Sequence, residues 1–155
     1  TLLTKKYMNR EVKYRGKDLE NGNCWRYGSL VVYPDGNRVI VEFDKDENEL
    51  SYDVYPETVG QFAGKYDKNG KEIYEGDLIR SPSGLVYTVI FGTWVHDEKK
   101  EFPKIIDKYE HTGWCISLDG NTPCELLDSE VYSGVITGNV HDNPSLLKVN
   151  SAGNI

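Results

Sequence analysis

The residue types that could carry chemistry in this chain are few and scattered. Its histidines are His96, His111 and His141, and its cysteines are Cys24, Cys115 and Cys124. His111, Cys115 and Cys124 are the set that could suggest zinc, since imidazole and thiolate bind that ion well. No two cysteines have the short spacing of a zinc knuckle, so they read as ordinary loop or sheet residues, with no metal or cofactor expected. Glu72, Glu75 and Asp77 are close enough in sequence to raise paired-carboxylate catalysis, which needs two such groups held at controlled separation around a substrate. Glu75 and Asp77 could share a face if locally extended, yet all three flank tight turns, where solvated carboxylates are common. No serine sits in a nucleophile elbow. His111 precedes Cys115 by four residues, a spacing that does not establish one face in an irregular or β context. Lys65 to Lys71 matches neither a phosphate-binding loop nor a dinucleotide fingerprint and reads as a hairpin. The expectation is therefore no catalytic, no cofactor-binding and no metal-binding residue.

Aromatic residues offer a different chemistry. The chain holds 11 Tyr and 3 Trp, which suit half-buried sheet surfaces and contact faces. Tyr74, Tyr87, Phe91 and Trp94 are candidates for one exposed platform, with core packing the simpler account of Phe91. Single-stranded nucleic acid is bound by stacking rings together with a positive groove, and Lys68 and Lys71 supply only a modest positive component. The net charge is -7, distributed as +4 over residues 1–40, -6 over 41–60, zero over 61–100 and -5 over 101–155. An acidic total disfavours non-specific binding to phosphate backbones. The cluster Lys5, Lys6, Arg10, Lys13, Arg15 and Lys17 is the sole basic candidate, and it reads as a solvated terminal face.

The elements that would position these residues are short strands between turns. Glu11 to Arg15, Trp25 to Tyr33, Arg38 to Phe43 and Ser51 to Tyr55 read as strands, with Asn21–Gly22 and Pro34 to Asn37 as turns. Gly28 marks a bulge or a close backbone approach. Gly60 to Phe91 follows as a central block of strands punctuated by Asp67–Lys68–Asn69–Gly70, Glu75–Gly76–Asp77 and Ser81–Pro82–Ser83–Gly84. His96 to Lys108, charged and containing Pro103, reads as a long loop or short helix. Trp114 to Leu118 and Val135 to Val140 are later strands, the latter bent at Gly138; Cys124 to Leu127 is a short strand or helical turn. This rhythm predicts a mainly β fold, a curled sheet or partly open barrel.

The 155 residues suit one β-rich unit over 8–148, or two packed lobes at about 8–57 and 58–148, with 1–7 and 149–155 as terminal extensions. Met8 stands where a native start would fall. An odd number of dispersed cysteines fits a reducing compartment. No apolar run is long enough to span a bilayer, and the opening TLLTKKYMNR lacks an export h-region. Cytoplasmic residence, with no membrane partner, is the expectation.

The run TVGQFAGKYDKNGKEIYEGDLIR, Thr58 to Arg80, resembles the signature region of the YopX family of phage and prophage proteins. The opening MNREVKYRGKD, from Met8, is similar to the family's opening, and VITGNVHDNPSLL, Val135 to Leu147, to its ending. Ala63 and Lys65–Tyr66 depart from a TGLKD-like segment, and YRGKD replaces an FRAWD-like form, with strand and turn chemistry preserved. The resemblance implies a phage or prophage origin, a bacterial host, and a β-rich fold with an SH3-like barrel component. It implies no enzyme activity, cofactor or catalytic set. The leading expectation is a non-enzymatic protein-interaction or assembly module, acting through a protein partner or self-association as a homo-oligomer. The alternatives are a nucleic-acid-associated protein and an enzyme whose site forms only in three dimensions.

Overall fold

A computed structural model describes residues 10–102, 104–128, 133–148 and 150. Lys5, Lys6, Met8 and Pro103 lie outside the described residues, as do the terminal extensions apart from Asn150. With 56% of residues in strands and 7% helical, the fold is mainly β, and it includes a strongly curled half-barrel sheet compatible with an SH3-like component. Internal contacts divide the chain into two units, Thr1–Lys65 and Tyr66–Ile155.

The first unit contains β1 (Tyr14–Lys17), β2 (Trp25–Val32), β3 (Arg38–Phe43), β4 (Glu49–Val54) and β5 (Gly60–Tyr66), arranged as β4-β3-β2-β1-β5. Strand β2 serves two neighbours: it pairs with β1 up to Gly28, opposite Tyr14, and with β3 from Ser29, opposite Val41. A Cβ on Gly28 would run into the Val41 carbonyl oxygen, so the close approach read from the sequence occurs where the strand changes partners. Ile40, Val54, Phe62 and Ala63 form the buried apolar positions. Asp18 organises the loop before β2. Its Oδ1 accepts the N–H groups of Glu20 and Asn21 at 2.9 and 3.1 Å, and its Oδ2 accepts Arg26 Nε–H at 2.8 Å. That bond to Arg26 holds the carboxyl below its usual range.

The second unit contains β6 (Glu72–Tyr74), β7 (Asp77–Arg80), β8 (Val86–Glu101), β9 (Lys104–Ser117), β10 (Glu125–Leu126) and β11 (Val135–Asn139). Its five-stranded sheet runs β10-β9-β8-β7-β11. Ile73, Leu78, Ile79, Val86, Val89, Ile116 and Leu127 are buried. The register of β11 on β7 shifts between Ile136 and Gly138, a bulge that bends the strand at Gly138. Asn143 closes against this bend: its Oδ1 accepts Asn139 N–H at 3.3 Å and lies where a Gly138 side chain would sit.

The main departure from expectation is His96 to Lys108. It is neither loop nor helix. Strands β8 and β9 pair without interruption from Thr88↔Ser117 to Glu101↔Lys104. The charged residues that hid the strands support them: Asp97 stands opposite Lys108, and Lys100 Nζ lies 3.8 Å from Asp107 Oδ2. Both faces are wet, so no alternation of apolar and polar residues announces the element. Among the described residues, no helix is long and apolar enough to cross a membrane.

Candidate functional site

Among the described residues, Cys115, Cys124 and His111 are separated or engaged locally. Cys115 is buried, and burial pushes its thiol pKa up. Cys124 donates through its S–H to the Ile116 carbonyl at 3.3 Å. His111 and Cys115 share a face of β9, yet four residues of extended strand separate them by roughly 13 Å, too far to ligate one ion. No group of three or more His, Cys, Asp or Glu side chains suited to a metal occurs among the described residues.

The carboxylates of the central block hold turns. Asp77 is buried, and its Oδ2 accepts Tyr74 N–H at 2.7 Å. Glu72 Oε2 accepts the Tyr74 hydroxyl at 3.4 Å. Asp67 accepts the N–H groups of Asn69 and Lys71 through Oδ1, both at 2.9 Å, and the N–H of Ile136 through Oδ2 at 3.0 Å. Burial works to raise the Asp67 pKa, and the bonds from Ile136, Lys71 and Asn69 outweigh it and leave it lowered. One residue of the signature run thereby closes its own hairpin and fastens β11.

The basic residues of the first unit face their own aromatic rings. Arg15, itself buried, places its guanidinium 4.7 Å from the Trp25 ring centre, and Lys17 Nζ lies 5.9 Å from the same ring. Lys13 Nζ is 5.5 Å from the Phe62 ring centre and 3.3 Å from Glu11 Oε1. Cation–π contacts of this kind set these charges against rings of their own unit.

The proposed aromatic platform is not one surface. Tyr74 is buried. Tyr87 and Phe91 occupy one side of β8, by strand alternation, and Trp94 the other. Phe91 is 57% exposed and meets Trp114 edge-on at 5.2 Å between ring centres. A different aromatic group forms instead. Trp94 stacks on His96 at 5.2 Å and on His111 at 5.9 Å, while Tyr109 stands opposite His96. Trp94 and His96 are two residues apart on β8, as Tyr109 and His111 are on β9. That period was readable, but the pairing that joins the two strands was not.

These rings lie on a two-stranded ribbon that outruns its neighbours. Strand β7 pairs with β8 only from Val86 to Thr88, and β10 covers β9 at Cys115 and Ile116, with Leu127 N–H reaching the Trp114 carbonyl. Beyond these residues the ribbon exposes both faces. Val95, Ile106 and Tyr109 are exposed along it, and Phe102 is 97% exposed at its end. A shallow groove near this end is lined by Lys99, Lys100, Glu101, Lys104 and Ile106. Asp107 and Glu98 hold Tyr109 above its usual pKa.

The signature turns, the bulged closing strand and the mainly β architecture define a small β-rich protein. The chain belongs to the YopX protein family, whose pattern matches residues 13–148. None of the curated proteins compared with it matches the chain.

Proposed function

We propose that this chain is a non-enzymatic protein-interaction or assembly module of phage type, acting in the cytoplasm of a bacterial host. The observation that carries the reading is the ribbon of β8 and β9, whose outer half bears exposed Val95, Ile106, Tyr109 and Phe102 with no covering strand among the described residues. A two-stranded ribbon is marginal by itself, and exposed apolar side chains grouped on one element suit a contact surface. Family membership supports the phage context.

A nucleic-acid role is the weaker alternative. From residue 92 to 113 the ribbon carries four lysines against five Asp or Glu, a net of -1 that gives phosphates little attraction. The test is capture from induced host cells, using the intact chain and a form in which residues 95–110 are replaced by a two-residue turn joining the register partners Trp94 and His111. A reproducible partner held by the intact chain and lost from the shortened one is expected. Equal capture by both, or capture of nucleic acid released by salt, overturns the reading.

A further inference from the structure

The outer edge of β9 has a pattern that its neighbours in the fold do not use. The carbonyls of Trp114 and Ile116 point away from β8, since they accept Leu127 and Cys124 N–H groups, both at 3.0 Å. Alternation along an antiparallel strand then directs the backbone groups of Ile106, Lys108, Glu110 and Thr112 to the same outer side. No backbone hydrogen bond among the described residues reaches that edge between Lys104 and Gly113. An uncovered edge of this kind is a template for another strand.

The sequence along the edge is self-complementary about Tyr109. A twofold axis normal to the sheet relates two copies of one antiparallel strand so that facing residues have equal parity. With the axis at Tyr109, Lys108 faces Glu110 of the other copy, Asp107 faces His111, and Ile106 faces Thr112. Ile106, Lys108, Glu110 and Thr112 are the residues whose amides and carbonyls point outward, so each exchanges backbone hydrogen bonds with its counterpart. Moving the axis to Lys108 or Glu110 sets like charges face to face. The β8 edge has no equivalent, because placing Asp97 opposite Lys99 sets Glu98 against its own copy.

We propose that two copies of this chain associate through the outer edges of β9, in antiparallel register about Tyr109, making one continuous four-stranded sheet from two ribbons. A second copy is the occupant because the charge order on the edge complements itself. The ribbon is also nearly neutral, whereas the whole chain carries -7, so two ribbons meet with little direct charge repulsion. The interface is isologous and closes, as a twofold dimer requires. This inference rests on the interaction reading and names its partner.

Sedimentation equilibrium over a concentration series tests it. The intact chain is expected to form dimers. Lys108→Glu and Glu110→Lys each weaken association by about tenfold or more, because each converts two symmetry-related attractions into repulsions, and the double variant restores it. In a chain with Cys24 and Cys124 replaced by serine, Tyr109→Cys cross-links on mild oxidation, since facing residues at a non-hydrogen-bonded position lie about 4.5 Å apart between Cα atoms. Thr112→Cys, which faces Ile106, stays uncrosslinked. If a single charge variant fails to fold, the double variant and the cysteine pair still decide the matter. A monomer at every concentration, or a dimer indifferent to these substitutions, overturns the edge interface. Capture of a different partner through the ribbon would leave the broader interaction reading standing.

Discussion

Asp67 shows how much one polar side chain in a turn can hold. The turn itself needs an acceptor at its first residue and a positive φ at Gly70, which lies at 78°, a region that favours glycine. Both requirements are visible in Asp67–Lys68–Asn69–Gly70. The bond from Asp67 to Ile136 spans 69 residues and no local spacing reveals it. Asp67→Ala is expected to lower stability by about 2–3 kcal/mol, since it strands backbone donors and removes a charge-assisted acceptor; denaturant titration measures the loss. Because the folded carboxyl titrates lower than the unfolded one, the unfolded chain binds the proton more readily. The Asp67 contribution is therefore complete above the ordinary Asp range of about 3.9 and declines as pH falls through the lowered folded value. Acid titration of stability should show a shallower slope in Asp67→Ala than in the parent chain. Gly28→Ala tests a different constraint, close approach to Val41, and should cost about 1–3 kcal/mol by overpacking.

Short strands ending in Asp, Asn, Gly or Pro were legible because turn chemistry is local, which is why β3 begins and ends at the residues expected of it. The outer ribbon was not legible. Asp97–Glu98–Lys99–Lys100–Glu101 has no hydrophobic period, and the pairing that makes it a strand comes from partners on the far side of the hairpin end. The aromatic group Trp94, His96, Tyr109 and His111 was missed for the same reason: half of it lies on each strand. Because the buried residues of this hairpin lie at Val86 to Val89 and at Cys115 to Ser117, the outer half contributes contacts rather than core. Replacing residues 95–110 by a two-residue turn between the register partners Trp94 and His111 is expected to change stability by less than about 1 kcal/mol, as for surface changes remote from buried groups. Loss of cooperative unfolding in circular dichroism melts of the shortened chain would show that the ribbon belongs to the core after all.

At the scale of the molecule, charge sets how two copies approach. Each carries -7, and at about 0.01 M ionic strength the Debye length is roughly 30 Å, so the two bodies repel across the whole interface. At about 0.15 M it falls to roughly 8 Å, and repulsion between distant surfaces is largely screened. The Lys108–Glu110 pairings act at contact distance, and exposed pairs of this sort contribute at most about 1 kcal/mol each. Backbone hydrogen bonds along the edge do not depend on salt in this way. Raising ionic strength over this range should therefore strengthen self-association of the intact chain, and the gain should persist in the Lys108→Glu, Glu110→Lys double variant, whose net charge is unchanged. Sedimentation equilibrium at the two salt concentrations reads the difference directly. A steady weakening from low to high salt would mean that the edge ion pairs outweigh the repulsion between the acidic bodies, and that backbone pairing is not what holds the copies together.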